Sequence, residues 1–130
     1  MADPVLNRAE EIDYETQSAA AGLQKGVLIG PEQGAPNFHL RRFTLEAGAT
    51  VPKHTNAVEH EQYVLEGEYV VGLREDGTDS EYVVEPGDSL LIPAGTVHWY
   101  RNTGTEEAAF LCAVPKGEDD ISLVDEESSP

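Results

Sequence analysis

The stretch GDSLLIPAGTVHWYRN, residues 87–102, alternates short apolar segments with explicit turn residues. Two short strands rich in β-branched and aromatic residues flank a PAGT turn at 93–96. Successive side chains of a strand point to opposite faces of the sheet, so His98 and Tyr100 share one face and Trp99 lies on the other. The stretch therefore predicts a strand–turn–strand unit that carries a histidine and a tyrosine on the same face.

The same pattern continues along most of the chain. Nine strands are predicted: KGVLIG (25–30), NFHLRRFTLE (37–46), ATVPKHT (49–55), HEQYVLEGE (60–68), YVVGLRE (69–75), SEYVVEP (80–86), DSLLIPA (88–94), VHWYRNT (97–103) and EAAFLCAVP (107–115). Nine short strands without strong helical segments between them indicate an antiparallel barrel or sandwich. A parallel α/β fold would need crossover helices, for which the chain has no room.

The ends of the chain differ from this middle part. Its 130 residues are typical of one domain. Residues 1–24 are interpreted as an N-terminal arm, residues 25–115 as the barrel, and residues 116–130 as an acidic C-terminal tail. The end of the tail is expected to be disordered, and its apolar ISLV segment is either part of that tail or an edge segment that packs on a neighbouring subunit.

The charge balance excludes some partners. Asp and Glu number 25 against 8 Lys and Arg, for a formal net charge of −17. Such a surface repels nucleic acid and anionic membranes, and at low ionic strength it also repels itself. At ~1 M salt the Debye length falls to ~3 Å and this repulsion is screened. The composition therefore favours a halophile-like protein; a merely acidic mesophilic protein is the alternative.

Cysteine and hydropathy patterns set further bounds. The single cysteine, Cys112, excludes an internal disulfide and a multi-cysteine zinc cluster, and its apolar strand indicates a buried structural thiol. No run approaches the ~18 apolar residues of a membrane span. The N-terminus lacks a basic region followed by an apolar stretch, so no signal peptide is predicted and a cytoplasmic location is expected.

Three of the four histidines are candidates for one site. Alternation places His60, Gln62 and Val64 on one face, and His54 and His98 could converge with His60 in a barrel interior. A dry cluster of neutral imidazoles is a good transition-metal site, although a histidine on a strand is also commonly a satisfied polar residue. If Phe38, Leu40 and Arg42 point inward, the fourth histidine, His39, points outward.

The spacing of glycines and histidines resembles the first motif of the cupin superfamily, G-x5-H-x-H-x3-4-E-x6-G. Gly48 is followed after five residues by His54, and Gly67 closes the pattern. Asn56 stands where the second histidine is usual, and His60 stands where the glutamate is usual. The change to histidine is similar to small cupins reading WEHE-Y/F-V-L-x-G, in which four histidines hold the metal.

The second motif, G-x5-P-x-G-x2-H-x3-N, is complete in Gly87, Pro93, Gly95, His98 and Asn102. The resemblance covers about residues 26–115 and implies an all-β fold, the double-stranded β-helix or jelly-roll barrel. The glycines are expected where strands reverse, since glycine accepts positive φ there. Small cupins usually form homodimers, and residues 25–46 are the candidate interface.

The resemblance implies a site for a divalent transition metal, Mn, Fe, Ni or Zn. The implied metal positions are His54, His60, His98 and, in place of the fourth histidine, Asn56, or a water there.

Gln62 shares the inward face and is a candidate pocket residue, while Tyr100 is a candidate acid or substrate-orienting group or a core residue. Glu59 and Glu61 flank His60 and are expected on the outer face.

Two classes of function follow. The first is a metal-dependent enzyme acting on a small oxygen-rich molecule, such as a keto acid, enediol or sugar acid, as an isomerase, lyase or dioxygenase. The second is a non-catalytic module that binds a sugar or small acid, or a dimeric scaffold with a vestigial metal site. The expected partners are a small-molecule ligand and a second copy of the chain, with no nucleic acid and no membrane.

Overall fold

A computed structural model describes residues 2–117 and 119–124. Within these ranges the chain forms strands and two short 3₁₀ helices, Ala9–Glu11 and Pro31–Gln33. The strands are β1 (Tyr14–Thr16), β2 (Leu23–Ile29), β3 (Phe38–Leu45), β4 (Thr50–Asn56), β5 (His60–Glu66), β6 (Tyr69–Glu75), β7 (Thr78–Val84), β8 (Ser89–Ile92), β9 (His98–Arg101), β10 (Ala108–Pro115) and β11 (Ile121–Leu123).

The strands form two antiparallel sheets. One sheet has six strands in the order β1-β2-β3-β10-β5-β8, and the other has five in the order β11-β4-β9-β6-β7. Consecutive strands such as β4 and β5 lie in different sheets, as they do in a jelly roll. The predicted all-β jelly-roll barrel is therefore confirmed.

The two strands absent from the prediction lie at the ends of the described chain. β1 pairs with β2, within the segment interpreted as an arm. β11 pairs with β4 of the same chain, with Ile121 opposite Asn56 and Leu123 opposite His54. ISLV therefore extends its own chain's sheet as an edge strand. Its packing on a neighbouring subunit stays a prediction. The division into arm, barrel and tail stays a prediction, and the expected disorder concerns residues 125–130, which lie outside the described residues.

An aromatic group fills part of the space between the sheets. Phe110 stacks against Phe43 and Tyr69, with ring centroids 5.3 and 5.7 Å away, and lies 5.4 Å from Tyr100. Burial of one such side chain stabilises the fold by about 1.5–3 kcal/mol. Tyr100 also contacts His98, with ring centroids 5.7 Å apart, so the apolar core directly supports the histidine-bearing part of the interior.

Turn glycines have the predicted backbone conformation. Gly48, Gly67, Gly87 and Gly95 all have positive φ, between 71° and 98°. At Gly67 a Cβ atom would also lie 2.7 Å from the carbonyl oxygen of Glu107. A side chain at this position would therefore be both strained and crowded.

The predicted interface region, residues 25–46, is internal to the larger sheet. β2 pairs with β1 and β3, and β3 pairs with β2 and β10. Among the described residues, β3 is paired on both sides, and β1 covers the outer edge of β2 only at residues 24–26. The homodimer stays a prediction. Within the described part of the chain, no helix has the length and apolar character needed to cross a membrane.

Candidate functional site

Every residue predicted for the site lines one cavity of about 180 Å³ between the sheets. The predicted residues that line it are His54, Asn56, His60, Gln62, His98 and Tyr100. The outward positions of Glu59 and Glu61 are also confirmed, since both side chains are exposed. His39 does not belong to the lining of this cavity. Side-chain alternation therefore sorted the inward residues of β5 and β9 correctly.

Strand pairing places two of the histidines side by side. His54 on β4 lies opposite His98 on β9, and their ring centroids are 4.1 Å apart. His60 comes from β5 in the facing sheet, and its ring centroid lies 6.4 Å from that of His98. The cluster therefore depends on the packing of the two sheets against each other.

His54 and His98 have their outer ring nitrogens fixed by the backbone. Nδ1 of His54 lies 2.8 Å from the carbonyl oxygen of Pro52, and Nδ1 of His98 lies 2.8 Å from that of Thr96. A carbonyl oxygen accepts hydrogen bonds, so each Nδ1 carries the proton and each Nε2 keeps a lone pair. Metal-binding histidines are commonly oriented in this way.

Burial keeps both of these rings neutral. It lowers the pKa of His54, and it lowers that of His98 to about 3, with a further contribution from the neighbouring His54. A buried imidazolium loses its hydration, so the uncharged form is favoured. At neutral pH the cavity therefore presents two unprotonated Nε2 atoms.

His60 is in a different state. Its Nε2 lies 2.7 Å from Oδ2 of Asp119, and its Nδ1 lies 3.2 Å from Sγ of Cys112. Burial alone would lower the pKa of His60, but the hydrogen bonds to Asp119 and Cys112 outweigh it and raise the pKa to about 9. His60 is therefore an imidazolium at neutral pH and donates from both nitrogens.

Cys112 is a fully buried thiol, as predicted, but it has polar partners that the sequence did not reveal. Its sulfur accepts hydrogen bonds from His60 and from Nη2 of Arg41, which lies 3.3 Å away. Burial raises the pKa of Cys112, but the hydrogen bond from His60 and the charge of Arg41 lower it overall. The thiol thus helps to hold His60 and Arg41 in the wall of the cavity.

Two buried oxygens complete the set of candidate donors. Oδ1 of Asn56 and Oδ1 of Asp119 are both buried without a hydrogen-bond partner within the described residues. Unpaired buried oxygens are costly unless an ion, a water or a ligand satisfies them. Together with His54 and His98, they give a mixture of nitrogen and oxygen donors that suits a divalent transition metal.

The metal site is nevertheless incomplete as arranged. Within residues 2–117 and 119–124, no group of three or more His, Cys, Asp or Glu side chains is arranged to hold a metal ion. His54 and His98 offer free lone pairs, whereas both nitrogens of His60 are occupied. The residues present fit a metal once His60 separates from Asp119 and loses its proton.

Gln62 and Tyr100 form a hydrogen-bonded pair in the same cavity. Nε2 of Gln62 donates to the Tyr100 hydroxyl over 2.8 Å, while Oε1 of Gln62 is buried without a partner within the described residues. Burial raises the pKa of Tyr100 above its ordinary value, so the phenol stays protonated. Since its oxygen accepts from Gln62, its proton is available for a ligand.

Three charged residues of the lining were missed by sequence reasoning: Lys25, Arg41 and Asp119. The expected inward face of β3, with Leu40 and Arg42, is wrong, because Arg41 and Phe43 of the other face line the cavity. Two adjacent arginines gave no alternation signal. Asp119 lies in the segment interpreted as a tail.

A histidine cluster between the two sheets of a jelly roll defines a small β-barrel protein with a buried polar site. The cupin-domain family model matches residues 41–114, which is more than half of the chain. The chain belongs to the cupin family. This match includes both glycine-and-histidine motifs.

Known proteins of several kinds are similar to this chain. The solved structure of the polyketide cyclase RemF from Streptomyces resistomycificus is 27% identical with a TM-score of 0.81, and the match covers 100% of this chain and 90% of that one. An acireductone dioxygenase from Parvibaculum lavamentivorans is 36% identical over 48% of this chain and 32% of its own length. A sucrose-binding protein from Glycine max is 30% identical over 78% of this chain and 21% of its own length. The chain thus spans about a fifth to a third of these two curated relatives.

Proposed function

We propose that this cupin is a metal-dependent enzyme that acts on a small oxygen-rich substrate, such as a keto acid, enediol or sugar acid, as an isomerase, lyase or dioxygenase. The observation that carries the proposal is the pair of neutral imidazoles, His54 and His98, whose Nε2 atoms make no hydrogen bond within the described residues and lie in a buried cavity. Their orientation by backbone carbonyls is the arrangement expected of metal ligands.

The proposed ligands are His54, His98 and, after it separates from Asp119, His60. The remaining position is taken by a water or by Oδ1 of Asn56, which has no hydrogen-bond partner within the described residues. A bound Mn, Fe, Ni or Zn ion supplies Lewis-acid chemistry that polarises substrate oxygens. Tyr100 donates a hydrogen bond to the substrate and is itself held by Gln62.

The size of the cavity supports a small substrate. Its volume of about 180 Å³ lies below the roughly 300–1,000 Å³ of pockets for drug-sized ligands.

Acireductone dioxygenase, one of the similar proteins, is by its name a dioxygenase. The solved structure similar over the whole chain is, by its name, a polyketide cyclase. This likeness favours an enzyme that rearranges bonds within a single, smaller substrate.

A non-catalytic binding module is the second candidate. The observation that favours it is the ion pair of His60 with Asp119, which uses the third imidazole internally. A similar curated protein is by its name a sucrose-binding protein. In this case the cavity binds a sugar or small acid without chemical change.

Metal analysis separates these alternatives. We expect protein purified without a His-tag and reconstituted with Mn, Fe, Ni or Zn to hold close to one equivalent of metal. His98→Ala should lose most of it because one of the two free imidazoles is removed. His39→Ala, a histidine outside the cavity lining, is the matched control and should keep it.

Asn56→His tests the ligand position directly. It restores a fourth imidazole and should tighten metal binding, as measured by competition with a chromogenic chelator. Less than a tenth of an equivalent of metal in the wild-type protein, even after reconstitution, would overturn the metal proposal. Oxygen uptake and a panel of keto acids, catechols and uronates then separate an enzyme from a binding module.

A further inference from the structure

We propose that Arg41 and Lys25 form a carboxylate-binding subsite in this cavity, and that the side chain of Asp119 occupies it until a small carboxylic acid displaces it. This inference deepens the proposed function, on which it rests for the role of the bound acid as a substrate. The binding of the anion itself requires no metal. It assigns a binding role to three residues outside both histidine motifs.

The cavity lining carries basic side chains, whereas the chain as a whole is strongly acidic. The chain carries −17, yet Lys25 and Arg41, two of its 8 basic residues, line the same cavity. Four other basic residues pair with carboxylates: Arg42 with Glu66, Arg101 with Glu81, and both Lys53 and Arg74 with Asp79. Two cations in a partly dry cavity attract an anion more strongly than the same charges at the surface.

Arg41 is a buried cation with poor partners. The residue is 8% exposed, and its Nε is buried without a hydrogen-bond partner within the described residues. Its Nη2 donates to the weak acceptor Sγ of Cys112 over 3.3 Å and lies 3.8 Å from Oδ2 of Asp119. A guanidinium binds a carboxylate best through two parallel hydrogen bonds, and this one makes none of that kind. The site is therefore built for a better-placed carboxylate.

Lys25 strengthens the same end of the cavity. It lies on β2 opposite Phe43, two residues from Arg41 on the adjacent strand. Burial lowers the pKa of Lys25, and the charge of Arg41 lowers it further, so the two cations interact. Within the described residues the Lys25 ammonium makes no ion pair or hydrogen bond. An additional anion would relieve the repulsion between these cations.

In the structure, the carboxylate of Asp119 takes the place of that anion. The pairing of β11 with β4 positions it over the cavity, and its Oδ2 contacts Nε2 of His60 at 2.7 Å. The backbone amide of Val58 helps to lower the pKa of Asp119, but Oδ1 is buried without a hydrogen-bond partner within the described residues, so the carboxylate satisfies the cavity incompletely. A free carboxylic acid can replace it and release His60 in the same step. The ligand class is thus a small mono- or dicarboxylate.

Calorimetric titration of the metal-stripped protein with oxalate and with pyruvate tests this inference. Oxamide and pyruvamide, the uncharged counterparts, serve as ligand controls. We expect the acids to bind and the amides not to bind. Asp119→Asn should tighten acid binding by about tenfold, because it removes the competing charge. Arg41→Gln should abolish binding, and Lys25→Gln should weaken it.

Arg101→Gln removes a surface cation that is already paired with Glu81 and should leave acid binding unchanged. Equal binding of acids and amides, or unchanged binding in both Arg41→Gln and Lys25→Gln, would overturn the subsite. Weaker acid binding in Asp119→Asn would overturn the proposal that Asp119 competes with the acid for the subsite. If Arg41→Gln fails to fold in a thermal melt, acid binding by Lys25→Gln decides whether the subsite exists: weaker binding supports it and unchanged binding overturns it. Acid binding without metal loading would support the subsite while the proposed metal function fails, and metal loading without acid binding would show the reverse.

Discussion

The two departures from the cupin motif have different consequences at the level of single residues. Asn56 replaces an imidazole with a neutral amide whose Oδ1 is buried and unpaired within the described residues. His60 adds an imidazole where a carboxylate is usual, and Asp119 then supplies a carboxylate from elsewhere in the chain. Alternation on β5 placed His60 and Gln62 on one face, and the resemblance to the cupin motif indicated that this face points into the barrel. The partner of His60 was not predictable, because Asp119 lies 59 residues away in an acidic segment with no motif.

The protonation of His60 gives a testable pH dependence. In metal-free protein its pKa should be about 9, against about 6.5 for an unperturbed histidine. Because the folded-state pKa is raised, the stabilisation from His60 is fully present below about pH 6.5 and is lost as the pH rises through about 9. At low pH it is lost as Asp119, whose pKa is lowered overall, becomes protonated: burial raises that pKa, but the hydrogen bond from His60 outweighs this.

An NMR titration of the imidazole protons in chelator-treated protein measures this value. Asp119→Asn should lower the pKa of His60 from its wild-type value, because the contribution of the carboxylate is lost while burial continues to lower the pKa and the Cys112 contact remains. Glu85→Gln changes an exposed carboxylate and is the matched control. A wild-type pKa at or below about 6.5 would show that Asp119 does not hold the His60 proton.

At the level of elements, the sequence predicted nine strands, and each occurs within two residues of its predicted bounds. Period-two alternation and turn glycines mark these strands clearly, as at the positive-φ position of Gly87. β1 and β11 were missed because each has three residues, too few for alternation to show. They exist through pairing with β2 and β4, a tertiary effect that local sequence does not carry. The position of Asp119 depends on that pairing, so the charged end of the site was missed with it.

Asn102 joins three elements at the end of β9, and its loss should be costly. Its Nδ2 donates to the carbonyl oxygens of Leu45 and Glu106, and its Oδ1 accepts from the amide of Gly104. Asn102→Ala leaves these backbone groups without their partner. The hydrogen bond to Leu45 is buried and the other two are partly buried, and a buried group left unpaired costs about 1–3 kcal/mol. We expect the free energy of unfolding to fall by about 3 kcal/mol in urea denaturation.

Asn7→Ala is the control for this substitution. It removes one part-buried hydrogen bond, from Asn7 to the carbonyl oxygen of Leu28, and should cost about 1 kcal/mol. Equal small losses in the two variants would mean that Asn102 does not hold the loop between β9 and β10. Loss of metal binding without loss of stability in Asn102→Ala would likewise contradict a structural role.

At the scale of the whole molecule, the acidic exterior and the cationic cavity oppose each other. A surface of −17 repels a small anionic acid on approach, while Arg41 and Lys25 attract it inside. Screening shortens the reach of the exterior field from about 10 Å at 0.1 M salt to about 3 Å at 1 M. It affects the partly buried cavity less. For the proposed anionic ligand, high salt should therefore lower the barrier on approach and keep most of the attraction within the site.

This balance predicts that salt stabilises the fold. The 25 acidic residues greatly outnumber the 8 basic ones, so like-charge repulsion dominates the surface at low ionic strength. We expect the melting temperature to rise by about 10 °C or more as KCl increases from about 0.1 to about 1 M, because a Debye length of about 3 Å screens neighbouring carboxylates. A series in sucrose at matched water activity controls for general exclusion of cosolute from the surface. If the melting temperature is flat in KCl, or if sucrose reproduces the whole rise, the acidic composition is not an adaptation to salt.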